Sequence, residues 1–246
     1  MTFSINIKEA RRQGAKLLVG FVGLSGGGKT YTAIQFGFGL AGKDGKKLGL
    51  LDTENGRGSL YADKLPKGER FLIADMTPPF SPQRYIDAVQ EFSASGVEVL
   101  ILDSFSPCWD GDGGCCEIAE QHKLGGLPNW AMAKGQHKRL VNALLYSKMH
   151  IILCLRARER AKPEETVDEV TGKRKTIFVS SGEVEPICER NLPYELTASL
   201  VLEKLGRKQK VKKCPEDLMP HLGRGTGHIT AADGLAVRQW VEGGAA

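Results

Sequence analysis

The sequence predicts an α/β fold: a mostly parallel sheet with helices on both faces, followed by an antiparallel C-terminal extension. Three observations carry that expectation. Short, almost wholly apolar runs alternate with helical segments up to about residue 156. A glycine-rich loop, Gly23–Thr30 (GLSGGGKT), joins the first apolar run to the first helix. Beyond about residue 157 the pattern changes to strands separated by turn residues.

The elements follow in order. Lys16–Leu24 (KLLVGFVGL) reads as a strand buried on both faces. Lys29–Leu40 is a helix closed by Gly42 and Gly45. Leu48–Leu51 and Phe71–Ala74 are strands, and a Pro-rich turn leads into a helix over Pro82–Ala94. Val97–Leu102 (VEVLIL) is a strand closed by Asp103, and Ser104–Leu127 is glycine-rich and mostly loop. Trp130–Ser147 is an amphipathic helix, and His150–Leu155 (HIILCL) a buried strand. Thr166–Ser180 has the texture of a hairpin turning at Thr171-Gly172. Glu195–Lys213 supplies two strands around Gly206, both expected to extend the sheet in antiparallel fashion, and Ala231–Val241 is a final helix.

Composition bounds the function. At 246 residues and 41% hydrophobic content, the chain suits one large domain or one core with appendages. We divide it into an N-terminal segment, 1–15, and one domain, 16–246. No run approaches the roughly 18 apolar residues of a membrane span, and MTFSINIKEARRQG has charges where a leader needs an apolar stretch. A soluble, intracellular protein with no membrane partner is expected. Six irregularly spaced cysteines do not make a disulfide scaffold, and Cys108, Cys115, Cys116 and His122 lack the paired spacing of structural zinc sites. The net charge of +5 is local: Lys204–Lys213 holds six cations and no acid, and the remainder of the chain stands at −1.

Gly23, Gly28, Lys29 and Thr30 fit G-x-x-x-x-G-K-[ST], with Ser25, Gly26 and Gly27 inside the loop. Glycines let successive amides turn inward onto phosphate oxygens. Lys29 brings positive charge to the β and γ phosphates, and the Thr30 hydroxyl suits magnesium. A carboxylate at a neighbouring strand tip completes such a metal site, and VEVLILD places Asp103 there; its bland alternative is a helix cap. Ser104 follows it, so the base that activates water lies elsewhere. Glu54, at the tip of the second strand in LLDTE, is the candidate, against a solvated turn carboxylate. ATP and Mg2+ are the cofactors this pattern implies.

In LLDTENGRGSLYADKL and VLILDS the chain resembles RecA, which implies a RecA-like P-loop NTPase core. That resemblance assigns the catalytic glutamate to Glu54 and adenine stacking to Tyr61, for which an ordinary core tyrosine is the alternative. Where RecA has a γ-phosphate-sensing glutamine, this chain has Arg156. DSFSPCWDGDGG, HIILCLRARER, LPYELTASLVLE and KCPEDLMP are similar to small phage-encoded RecA-like ATPases of the Sak-type single-strand annealing class. The likeness implies an ATPase of the host cytoplasm that binds single-stranded DNA, anneals it in recombination, assembles as a ring or filament, and works beside a single-stranded DNA-binding protein.

By the same resemblance, DNA is held by Phe105–Leu127 and Ala157–Ser180. Trp109 in the first loop either stacks on a base or packs. The second carries Arg158, Arg160, Lys162, Lys173, Arg174 and Lys175 among five carboxylates, which also describes a solvated hairpin. Arg207–Lys213 has three readings: contacts to DNA phosphates, a lysine-defended edge strand, or reach across a subunit interface to a neighbour's γ phosphate through Lys210 and Lys212. Phe3–Ile7 alternates like a strand that adds to a neighbouring subunit, or is a frayed terminus. Two further function classes stand beside the ATPase: a DNA-binding module switched by ATP without turnover, and a small-molecule kinase, disfavoured because no acceptor-pocket signature is present.

Overall fold

The structure, a computed structural model, describes residues 7, 9, 10, 12, 14–167 and 174–243. Its strands are β1 (Leu18–Gly23), β2 (Leu48–Asp52), β3 (Leu72–Asp75), β4 (Val99–Asp103), β5 (His150–Val167), β6 (Arg174–Pro186), β7 (Ala198–Glu203) and β8 (Lys208–Lys213). The helices are α1 (Lys29–Leu40), α2 (Pro82–Ala94), α3 (Pro107–Asp110), α4 (Cys115–Gln121), α5 (Trp130–Leu145), α6 (Leu192–Glu195), α7 (Met219–Leu222) and α8 (Ala231–Val241).

The sheet runs β3-β2-β4-β5-β1-β7-β8, with β6 paired to the outer part of β5. The pairs β3/β2, β2/β4, β4/β5, β5/β1 and β1/β7 are all parallel. Parallel strands need crossovers that cover both faces, which is why β1, β2 and β4 are apolar up to their tips instead of alternating. Successive side chains then feed two cores. Val19, Phe21, Leu50 and Ile101 point toward α1 and α8, whereas Leu18, Val22, Leu51 and Leu102 point toward α2 and α5.

α1 and α8 touch backbone to backbone. A Cβ on Gly39 would lie 1.9 Å from the Ala231 carbonyl oxygen, and one on Gly234 would lie 2.0 Å from that of Phe36. Each helix therefore presents a glycine where the other's main chain passes. A capping box starts α8: the Thr230 side chain and the Asp233 carboxylate satisfy each other's backbone amides, and Arg224 pairs with Asp233.

Three expectations change, and a fourth falls largely outside the described residues. β7 is parallel to β1, so the parallel sheet continues past residue 157 and only β6 and β8 are antiparallel. The return of the chain over Ile187–Thr197 brings β7 in from the same end as β1, a path that strand composition does not encode. The fifth strand does not stop at Leu155 but continues to Val167, forming with β6 a ribbon paired from Ala157↔Pro186 to Val167↔Arg174. Its turn at Thr171-Gly172 lies outside the described residues. Ser104–Leu127 contains α3 and α4, because Cys115, Ile118 and Ala119, spaced along one helical face, bury against Ala133 and Trp109. Of the N-terminal strand candidate, residues 3–6 lie outside the described residues, and Ile7 is 91% exposed and in no strand.

At the opposite end of the sheet from the glycine-rich loop, His150 opens β5, and its Nδ1 accepts a hydrogen bond from the Leu17 amide at 3.2 Å. Burial first, then the nearby charges of Lys16 and Arg238, push its pKa down to about 4. The unfolded imidazole, at about 6.5, binds the proton more readily, so stability is lost as pH falls from about 6.5 through 4. His150→Asn keeps an acceptor and does not titrate. In urea unfolding at pH 7 and pH 4.5 the wild type should lose more stability than His150→Asn, by up to about 3 kcal/mol; equal losses would rule the buried imidazole out.

Candidate nucleotide site

The strand tips of β1, β2, β4 and β5 open on a cleft of about 750 Å³. Register aligns them: Asp52 sits opposite Asp103, Asp103 opposite Cys154, and Gly23 opposite Arg156. Among the expected phosphate-loop residues, Ser25, Gly26, Gly28, Lys29 and Thr30 line the cleft. Gly23 and Gly27 lie behind it, each so close to β7 that a Cβ would stand 2.9 Å from the Leu202 carbonyl oxygen. Gly28 has φ +94°, and its Cβ would lie 2.4 Å from the carbonyl carbon of Leu205. The phosphate loop is thus seated on the end of β7 and on the Lys204–Gly206 turn, where three consecutive residues have positive φ (51°, 57° and 83°). The Lys29 ammonium spans the loop, donating to the Gly23 and Leu24 carbonyls at 3.0 and 3.1 Å.

Asp103 is 5% exposed. Burial raises its pKa to about 6; the Thr30 hydroxyl bonded to it and the Lys29 charge pull the other way, while Glu54 and Asp52 push with burial. A buried carboxylate in contact with a hydroxyl at a helix N-terminus, under that electrostatic pressure, is a fitting seat for a hard divalent cation. The flank of Asp103 is pinned. Thr53 Oγ1 donates to the Ser104 carbonyl at 3.0 Å and accepts from the Ser104 amide at 2.9 Å, and the Tyr85 hydroxyl donates to the same carbonyl at 3.1 Å. The Asp103-Ser104 peptide is cis.

Asp52 does not share the chemistry of Glu54. Its carboxylate accepts the Glu54 amide at 2.5 Å and the Gly58 amide at 2.6 Å, bending the chain so that the Glu54 side chain enters the cleft. There Glu54 Oε1 meets Arg156, 3.0 Å from Nε and 3.0 Å from a terminal nitrogen. Arg156 is held in turn by its amide, which donates to Ser106 Oγ at 2.9 Å. The residue expected to face a γ phosphate therefore neutralises the residue expected to activate water. Tyr61 lines the cleft while packing partly on the α1 core.

The far wall was not anticipated: Tyr31, Leu205, Arg207 and His228 line it, with Tyr31 edge-on to His228 at 6.3 Å and Arg207 Nε donating to His228 Nε2 at 3.4 Å. A signal existed in the glycines beside these residues, which mark close backbone approach, but their partner strand was not identifiable. Lys210 and Lys212 share the exposed face of β8 and do not line the cleft.

The DNA candidates are dispersed. Trp109 is half-buried, stacked on Trp130 at 6.1 Å and edge-on to His137 at 5.7 Å, a packing role. On the ribbon, Arg158 and Lys175 are exposed, Arg160 lies between Glu183 and Glu185 at 3.7 and 3.4 Å, and Arg174 faces Glu165 at 3.9 Å. Lys173 lies outside the described residues.

The seating of the loop makes a test. Gly28→Ala meets both left-handed strain, about 1 kcal/mol or more, and the backbone of Leu205. Gly26→Ala has φ +73° but open space around its Cβ. Titration with a fluorescent ATP analogue should show at least a tenfold loss of affinity for Gly28→Ala and a smaller one for Gly26→Ala; equal losses would mean that contact with the Lys204–Gly206 turn is immaterial.

No curated protein matches the chain. A family described as an AAA domain matches residues 15–187, well over half of the sequence, and the match covers the phosphate loop, Glu54, Asp103 and Arg156. With the parallel sheet and the loop geometry, the chain belongs to this AAA-domain family of P-loop ATPases.

Proposed function

We propose that this ATPase domain hydrolyses ATP with magnesium, binds single-stranded DNA, and uses the cycle to promote annealing or recombination as a homo-oligomer. The observation that carries the catalytic part is the convergence of Lys29, Thr30, Asp103 and Glu54 on one cleft. Inward-facing loop amides and the Lys29 ammonium, freed from the Gly23 and Leu24 carbonyls, hold the β and γ phosphates. Thr30 and Asp103 are the residues that would hold magnesium, which would supply positive charge to the phosphoryl oxygens. Glu54 orients and deprotonates the attacking water, and Tyr61 offers an aromatic face to the base.

Support for the DNA part comes from the β5–β6 ribbon, which continues from the strand bearing Arg156 and exposes Arg158, Lys162 and Lys175 along its length. A two-stranded ribbon is marginal alone, so a nucleic-acid strand or a neighbouring subunit is its natural support. Lys210 and Lys212, free of the chain's own cleft, suit phosphates outside it, on DNA or in a neighbour's site.

A second reading has its own observation. The Glu54–Arg156 ion pair occupies the base, and a protein that keeps that pair with ATP bound uses nucleotide as a switch without turnover. Lys29→Ala should lower ATP affinity at least a hundredfold in calorimetry, and Glu54→Gln should keep affinity while cutting turnover about a hundredfold or more. Wild-type turnover in Glu54→Gln would remove Glu54 as the base. Hydrolysis measured with and without single-stranded DNA tests coupling; annealing that proceeds unchanged with a non-hydrolysable analogue favours the switch.

A further inference from the structure

A triphosphate in the cleft has a direction, and the strand order sets it. Asp103, Glu54 and Arg156 stand at the tips of β4, β2 and β5, all on one side of β1 and its phosphate loop. With these groups on the γ phosphate and its metal, as proposed above, the α phosphate and the nucleoside lead away across β1 toward β7 and β8. The wall on that side is formed by Tyr31, Leu205, Arg207 and His228.

This wall is held firmly. Gln209, 5% exposed, donates through Nε2 to the Gly206 carbonyl at 2.8 Å and to the Gly227 carbonyl, tying the Lys204–Gly206 turn to the segment that carries His228. The Gly227 amide donates to the Arg207 carbonyl at 2.9 Å, and Arg224, paired with Asp233, donates to the His228 carbonyl at 2.8 Å. Tyr31, one residue beyond Thr30, braces the imidazole edge-on. Neither ring nitrogen of His228 is then open to a ligand. Nδ1 is buried on the Gly206 side, where a Cβ on that glycine would stand 3.7 Å from it, and Nε2 accepts from Arg207 Nε. His228 therefore meets the cleft with its aromatic ring, which suits the flat face of a nucleobase and not an anion or a metal, since these need a ring nitrogen. Arg207 spends only Nε on His228 and makes no ion pair with a described residue, so its two terminal nitrogens remain, in the fork that fits phosphate oxygens.

We infer that the nucleoside end of the bound nucleotide lies on this far wall, with the base against the His228 imidazole and the α phosphate on Arg207. The inference rests on the placement of the γ phosphate at Asp103 and Glu54. Tyr61 belongs to the same turn as Glu54, on the opposite side of the cleft, and is partly committed to the α1 core, so His228 carries the larger share of the contact with the base. Tyr31 is a positioning residue that acts through His228. The Lys204–Gly206 turn thus serves both ends of the nucleotide: Leu205 backs Gly28 of the phosphate loop, and the residue after the turn receives the α phosphate.

The test compares a non-hydrolysable ATP analogue with inorganic tripolyphosphate, each titrated by calorimetry into the full chain with magnesium. His228→Ala should weaken the analogue about tenfold and leave tripolyphosphate unchanged, and His228→Phe, which keeps a flat ring, should restore the analogue. Arg207→Ala should weaken both ligands about tenfold, because each carries a phosphate for it. In the wild type the His228 ring resonance, assigned with His228→Gln, should move with the analogue and stay still with tripolyphosphate. Undiminished analogue binding in His228→Ala, equal losses for the two ligands there, or an unmoved resonance with the whole loss confined to Tyr61→Ala would place the base elsewhere and overturn the inference. Loss of the analogue alone in Arg207→Ala would remove its phosphate role. Tripolyphosphate that binds the wild type and is lost in Lys29→Ala, beside a silent His228→Ala, sinks this inference and leaves the phosphate end standing; tripolyphosphate that fails to bind the wild type sinks the phosphate end itself.

Discussion

The nucleotide cleft depends on a contact with no room for a side chain. Gly23 and Gly27 back onto the Leu202 carbonyl, and Gly28 backs onto Leu205. The loop that must present its amides to phosphate is thereby shaped from behind by β7 and the Lys204–Gly206 turn, segments about 180 residues away in the chain. Freedom of φ explains why glycine is tolerated in such loops; here clearance explains why nothing larger fits. The strained turn beneath the loop is the complementary part, since three successive positive φ values persist only where surrounding packing over-determines them.

The acidic half of the site is built by a different device, side-chain to main-chain hydrogen bonds across strand tips. Asp52 forms the turn that carries Glu54, Thr53 ties that turn to Ser104, and Ser106 positions Arg156. Each of these polar groups is spent on the backbone, while Asp103, Glu54 and Arg156 are charged side chains that line the cleft. Charge balance there is local: Arg156 neutralises Glu54, and Asp103, lacking a full counter-ion, has its pKa raised by burial.

Much of this was legible in the residues. α1, α2 and α8 begin where Lys29, Pro82 and Ala231 place them, because local signals such as the phosphate-loop glycines, proline at a first turn and a Thr–Asp capping box act within a few residues. The glycine-lysine-threonine loop and Asp103 were readable for the same reason. What escaped was long-range. The pairing of Glu54 with Arg156 spans 102 residues, and the parallel entry of β7 is decided by which edge of β1 is open, a property of the assembled sheet. α4 was hidden because its three buried positions sit in a glycine-rich stretch whose composition suggests a loop.

The interlocked glycines of α1 and α8 have a mechanical corollary. Two helices whose main chains meet without intervening side chains have no slack in which to slide or roll, so α1, with Lys29 and Thr30 at its tip, is braced like a keyed shaft. The parts that surround this fixed axis are the Glu54–Tyr61 turn, Arg156 at the root of the ribbon, and the return segment beginning at Ile187.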